Sequence, residues 1–200
     1  MQLTKRDVVE TAAKLLDDYG LADLTMRRLA RELDVSPGAL YWHFANKQEL
    51  LGAVADRVLD GVPGAVGVID VCTRLRNALL SHTDGAELVS ASFAAGQSEV
   101  MKQVLASLAA AAAETGLDAA HAELAARTVV YYVLGFTVDE QSRLQWDAAG
   151  ADLPDEQSVL ADDADARFRF GLGVLVNGIR VAERRAERSL MSEDPSISRT

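Results

Sequence analysis

Gly38, Ala39, Tyr41, Trp42 and His43 stand almost in a row, two small residues ahead of two aromatics and a histidine. Arg27, Arg28 and Arg31 precede them and Lys47 follows. At this spacing these residue types make no bond-forming constellation. They suit recognition of another molecule. Small groups allow close approach, indole and imidazole N–H groups donate hydrogen bonds, and cations on either side can meet phosphates.

To act together these residues need a scaffold of short helices. Thr25 can cap the first through its hydroxyl, and Met26, Leu29, Ala30 and Leu33 then recur at helical spacing. Asp34 interrupts the run, and Val35 is the apolar plug of a turn. Ser36 can cap a second helix, with Pro37 at the first helical position, where its missing N–H costs nothing. That helix is too short to be stable alone, so its neighbours must hold it. A helix, a tight turn and a second short helix make a helix-turn-helix, whose second helix enters the DNA major groove. The competing reading is a small helical hairpin whose aromatics, Tyr41 and Trp42 included, are wedged into core.

The flanks fit either reading. Thr4 begins a helix with Asp7 near its positive end, an apolar stripe of Val8, Val9, Ala12, Ala13, Leu16 and Tyr19, and Gly20 as its stop. Leu21 and Leu24 should pack into the small core. Asn46-Lys47-Gln48-Glu49 is close to a capping box, opening a helix that runs to about Asp60, where Gly61, Pro63 and Gly64 break it. Residues 1–47 are therefore expected to form a compact unit, with helix 48–60 as its bridge to a body over 61–190 and a flexible tail over 191–200.

Composition points to an all-α protein: 49% of the 200 residues are hydrophobic and only four are proline. The single Cys72 excludes an intrachain disulfide. No apolar run of about 18 residues and no leader-like opening is present, so the expected location is cytoplasmic, with no membrane partner. The net charge of −10 is unevenly spread. Residues 1–47 carry seven Lys/Arg and seven Asp/Glu, and the remainder thirteen and twenty-three. The acidity belongs to the body, and global charge does not decide what one face binds.

Residues 3–60 resemble the N-terminal DNA-binding domain of the TetR family of bacterial transcription regulators. The likeness rests on LTMRRLARELDVSPGALYWHFANKQELL, above all Leu40-Tyr41-Trp42-His43-Phe44 and Lys47. Trp-His after the tyrosine resembles the tetracycline repressor branch. The resemblance implies an all-α homodimer, each chain with an N-terminal three-helix helix-turn-helix domain and a helical effector-binding and dimerisation domain. It implies a palindromic double-stranded operator and, as the usual output, repression relieved by a small-molecule effector; activation, or a ligand carrier with a vestigial helix-turn-helix, are the alternatives. By the same resemblance Arg27 and Ala39 reach base edges, with Pro37 and Gly38 near them. Thr25, Tyr41, Trp42, His43 and Lys47 hold phosphates. This chain departs from the tetracycline repressors in having small residues at Ser36, Gly38 and Ala39. Specificity should then lean on Arg27, thymine-methyl contacts and DNA shape.

The body reads as further helices. One is expected from an Asp70 cap, carrying Val71, Leu75, Ala78 and Leu79. LLSHTDGAEL, residues 79–88, again resembles the tetracycline repressors. A short helix from about Gly85, one over Gln97–Glu114, one from an Asp118 cap to about Trp146 and one over about Asp165–Leu190 follow. Gly150–Asp163 contains Gly, Pro and five acids without a period, so a loop is expected. Small and apolar faces on the last two helices, including Gly171, Gly178 and Ala182, suggest a four-helix dimer seam, or else packing within one chain.

No enzyme constellation emerges. His43, His82 and His121 are scattered, no phosphate-binding glycine loop is present, and no cofactor is implied. Asp139-Glu140 is either a solvated pair or part of a site. The tetracycline repressors hold drug and magnesium with histidines and an asparagine, positions that here carry about Pro63, Val71 and Val89. Magnesium–tetracycline is thus not the expected effector. The expected pocket is lined by Leu75, Val89, Phe93, Val100, Met101, Val104, Val130, Leu134 and Phe136 and suits an apolar or aromatic ligand, though each of these residues could equally be solid core.

Overall fold

The computed structural model describes residues 3–150 and 163–192, with side chains to residue 180. Among the described residues every regular element is an α-helix. The expected all-α class is what the chain adopts. The expected loop over 150–163 and the tail lie largely outside the described residues, as does the side chain of Ala182.

Helix α1 (Lys5–Tyr19) starts on a complete capping box. Thr4 accepts from the Asp7 amide at 3.2 Å, while its own N–H and hydroxyl donate to the Asp7 carboxylate at 2.9 and 2.6 Å. Those bonds hold the Asp7 pKa below the usual carboxylate range. Gly20 stops the helix at φ +79°, where a side chain would be strained and would also run into Asp84. Helices α2 (Met26–Glu32) and α3 (Pro37–Tyr41) follow, each on its expected cap: Thr25 accepts from the Arg28 amide, Ser36 from the Ala39 amide. Helix α4 (Lys47–Val58) has Asn46 as cap, but Glu49 accepts from Ala45 rather than from Asn46, so the expected box closes one residue early.

The body comprises α5 (Gly67–Leu80), α6 (Gly85–Ala94), α7 (Glu99–Ala113), α8 (Ala119–Ala148) and α9 (Ala164–Ser192). Three local expectations are corrected. Asp70 is not the cap of α5: it lies inside the first turn and accepts from the Val66 amide. Helix α7 begins after Ser98, whose hydroxyl accepts from Met101, so Gln97 stays outside it. Asp139 and Glu140 do not act as a pair. Asp139 is exposed, whereas Glu140 is buried and held by the Arg76 guanidinium at 2.6 and 2.8 Å. Arg76 also reaches Asp165 at 3.3 Å and lies 5.0 Å over the Phe168 ring, so this pair fastens α5, α8 and α9 together. Removing one partner of such a pair costs about 3–5 kcal/mol, because the other charge stays buried.

One continuous apolar core runs from Val8 in α1 to Leu172 in α9. Cys72 sits inside it, and burial pushes its thiol up to about 12, which removes it from nucleophilic or metal chemistry.

Two joints tie the first four helices to the body. In the first, the Asp56 carboxylate of α4 lies across the start of α7. It accepts from the Ser98 hydroxyl at 2.6 Å and from the Glu99 and Val100 amides at 3.2 and 3.1 Å. One turn earlier Gly52 is buried against the Gln97 carbonyl, where a Cβ would collide. Ser92 of α6 donates to the Leu51 carbonyl. In the second joint, Asp17 of α1 meets His82 Nδ1 at 3.0 Å and the Thr83 amide at 3.2 Å. Asp84, at φ +52°, accepts from Leu21 at 2.8 Å and from Gln145 of α8 at 2.6 Å. Gln141 of α8 completes this joint through the His82 carbonyl and the Ala86 amide.

Replacing Asp56 by Ala leaves two amides at the α7 N-terminus without their acceptor. The expected loss is about 1–2 kcal/mol, a melting temperature lower by about 2–8 °C in a chain of this size. Circular dichroism melts of the two proteins check this; equal midpoints would show that water replaces the carboxylate without cost.

Candidate nucleic-acid interface

The turn between α2 and α3 is built by Asp34, at φ +53°, and by Val35, whose amide donates to the Ala30 carbonyl at 3.0 Å while its side chain packs on the core. Leu40 and Phe44 anchor α3 from below, both essentially buried. With those two side chains committed inward, the rest of the short helix faces out.

None of the ten residues singled out in the sequence is buried. Thr25, Arg27, Ser36, Pro37, Gly38, Tyr41 and Trp42 are exposed, and Ala39, His43 and Lys47 are half-buried. Tyr41 is 52% exposed and Trp42 90%. The wedge reading of these aromatics therefore fails for Trp42: a tryptophan held in a core cannot leave nine-tenths of its surface in water. Gly38 has nothing beyond the Ser36 hydroxyl near its missing side chain, so close approach from outside is open.

The cations divide. Arg28, counted in the sequence among those that bracket the short helix, is committed elsewhere. It pairs with Asp23 at 2.7 Å and its guanidinium stacks 3.7 Å from the Tyr19 ring centre. Arg27 and Arg31 are exposed and Lys47 half-buried, and none of the three forms an ion pair among the described residues. Free cations on both flanks of α3, with a hydroxyl, a phenol and an indole N–H between them, can meet the two phosphate walls of a groove. Sequence reasoning did not single out Lys5, whose ammonium lies 5.2 Å over the Phe44 ring and 3.7 Å from Glu49. Nor did it find the Asp56 and Asp84 joints. The available signal for the first was Gly52, an isolated glycine within an apolar helical run, where it costs helix stability relative to alanine.

Residues 8–54 match the family model described as bacterial regulatory proteins, tetR family, and residues 67–182 that of the tetracyclin repressor-like C-terminal domain. The chain belongs to the TetR family. It is 34% identical to the tetracycline repressor protein class A from transposon 1721 of Escherichia coli, over 89% of this chain and 91% of that one. Among solved structures it resembles BioQ of Mycobacterium smegmatis, at 59% identity and a TM-score of 0.81, over 90% of this chain and 99% of that one. A structure of BioQ with its natural double-stranded DNA operator matches at 56% identity and a TM-score of 0.77, over the same shares. The TetR-family fold, with an N-terminal helix-turn-helix domain and a helical C-terminal domain, is the fold of this chain.

The nine residues expected to line an effector pocket all belong to, or pack against, the one apolar core of this TetR-family body. Leu75, Val89, Met101 and Val130 are at most 1% exposed, and Leu134 is buried beside them. Phe93 meets Tyr131 edge-on and Phe136 joins the ring cluster of Tyr132 and Phe168. Of the nine, Val100 and Val104 border a cleft of about 140 Å³ that they share with Pro63, Val71, Gln103 and Ser107, and Phe93 and Phe136 are half-buried. Pro63, Val71 and Val89, which stand where the tetracycline repressors were expected to bind drug and metal, offer no metal-donor side chain. No helix among the described residues is long and apolar enough to cross a membrane.

Trp42 supplies a direct reporter. In a Trp146→Phe protein, emission should be that of a solvent-exposed indole and acrylamide quenching strong. Adding operator-bearing duplex should shift the emission to the blue and reduce quenching. Unchanged quenching on a bound duplex would remove Trp42 from the interface.

Proposed function

We propose that this chain is a dimeric transcriptional repressor, with residues 1–47 as the DNA-reading unit, helix 48–60 as the bridge and 61–190 as the effector-binding and dimerisation body. The observation that carries this reading is the exposed α3 surface flanked by unpaired cations, in a chain 56% identical over nine-tenths of its length to a protein solved with its operator. Arg27 and Ala39 read base edges with Pro37 and Gly38 close by, while Thr25, Ser36, Tyr41, Trp42, His43 and Lys47 position the unit on phosphates. A cytoplasmic location follows from that role.

Dimerisation is supported by what the body leaves uncovered. Leu124, Thr128, Tyr131 and Gly135 form one exposed face of α8. Phe170 and Val174 form another on α9, 75% and 55% exposed, with Gly178 one turn on. Apolar and small residues repeating on two adjacent helices suit a four-helix seam with a second copy. Gly171 plays no part in that seam, since it packs against Tyr132 of its own chain. In the dimer the two α3 helices stand about 34–36 Å apart and enter successive major grooves of a palindrome. A small apolar or aromatic effector in the cleft at Val71, Val100 and Val104 favours a state in which α4 swings and that spacing is lost. It can do so only by its difference in affinity for the two states. Magnesium–tetracycline is not that effector, because Pro63, Val71 and Val89 cannot replace the ligands it requires.

Selection from random duplexes with purified protein should enrich a palindrome; no enrichment would sink the regulator reading. Arg27→Ala should weaken the selected site by about 1–3 kcal/mol and relax its sequence, while Lys47→Ala should weaken all sequences alike and lower the salt slope by about 1. In light scattering the protein should weigh twice its chain mass of 21.4 kDa, and Phe170→Glu should bring it toward one. A monomer in the unaltered protein would rule out the dimer.

A further inference from the structure

A second chamber, of about 90 Å³, lies where the start of α5, the end of α7, the first half of α8 and the described end of α9 meet. Val68, Leu108, Ala126, Val129 and Ile179 give it apolar walls, and Arg180 of α9 stands at its edge. Arg180 is exposed and has no ion-pair partner among the described residues. Thr115, also on the lining, already donates its hydroxyl to the Ala112 carbonyl, so among the described residues the guanidinium is the charged donor there. An apolar chamber roomy enough for about three waters, with one free fork of donors at its rim, is matched by a short hydrocarbon chain ending in an anion. A guanidinium meets a carboxylate in a bidentate pair, and each buried methylene adds to affinity until the space is full.

We propose that this chamber binds an amphipathic monocarboxylate, its chain among Val68, Leu108, Ala126 and Val129 and its carboxylate on Arg180. The position gives binding a consequence. The chamber touches α5 at its first turn and α7 at its last. The opposite ends of the same helices carry the two joints to the DNA-reading unit, His82 to Asp84 after α5 and the Asp56-capped start of α7. A chain wedged between α5 and α7 changes their spacing at one end and is transmitted along two rigid helices to the other. This consequence, unlike the binding itself, rests on the operator-binding reading above.

The test is calorimetry on the full chain with straight-chain carboxylates from butanoate to decanoate and with the corresponding primary alcohols. Affinity should rise with chain length and then level off, and each acid should bind roughly tenfold to hundredfold better than its alcohol. Arg180→Met should abolish that preference while leaving alcohol binding unchanged. Ala111→Phe, at the half-buried mouth, should weaken acid and alcohol alike. No saturable binding, or an acid preference that survives Arg180→Met, would overturn the site. Operator occupancy is read in parallel by fluorescence anisotropy. Arg180-dependent binding that lowers occupancy supports both halves of the proposal. Binding that leaves occupancy unchanged upholds the site and overturns its role as an effector site.

Discussion

The carboxylate of Asp56 lying across the N-terminus of α7 is the constraint on which the arrangement of this molecule turns. The start of a helix presents amides with no partner of their own and a partial positive charge, and a carboxylate satisfies both. Here that carboxylate comes from a different helix, 42 residues earlier than the hydroxyl it shares the site with. The cap therefore does more than finish α7. It also fastens α4 to α7, and α4 follows the helix-turn-helix at its other end. Gly52 lets the backbones close to a distance that any side chain would prevent. A glycine inside a helix costs about 1 kcal/mol relative to alanine, and the close packing of α4 on the Gln97 carbonyl offsets it.

The second joint is polar in another way. Asp17, Thr83 and the half-buried His82 and Asp84 form a small network, and buried Gln141 and exposed Gln145 extend it onto α8. Its exposed contacts are individually weak, whereas the Gln141 bond to the Ala86 amide is buried. Beneath them the apolar core passes from α1 to α9 without a break. The two parts of the chain are thus joined by a shared core, whose packing resists continuous deformation, and by polar joints that run from exposed bonds at Asp17 to buried ones at Gln141. Such a combination favours a few discrete relative positions over a continuous range.

Much of this was legible in the residue order. Thr4, Thr25, Ser36, Asn46 and Asp118 all cap the helices they were expected to cap, because capping depends on a side chain and an amide three residues away. The apolar stripes, the all-α class and the outward face of α3 followed from periodicity. Arg28 shows where that reasoning stops. Its neighbours in sequence made it one of three equivalent arginines, and only the approach of Tyr19 and Asp23 removed it. Glu140 is the same lesson in the body. Beside Asp139 it reads as half of a solvated pair, yet Arg76, 64 residues away, takes it inward.

What the sequence by itself determined is therefore local: most helix starts and stops, though not those of α5 and α7, the face each helix turns to the core, and the small, aromatic and cationic residues of α3 and its flanks. These are set by interactions within about four residues along the chain. Only the tertiary structure decided which charges remain free, which apolar residues are solid core and which face open space. Val104 and Val130 are alike by type and helical spacing, yet one borders a cleft and the other is sealed. The difference lies in what another helix places opposite, and no property of a valine or its neighbours in sequence carries that information.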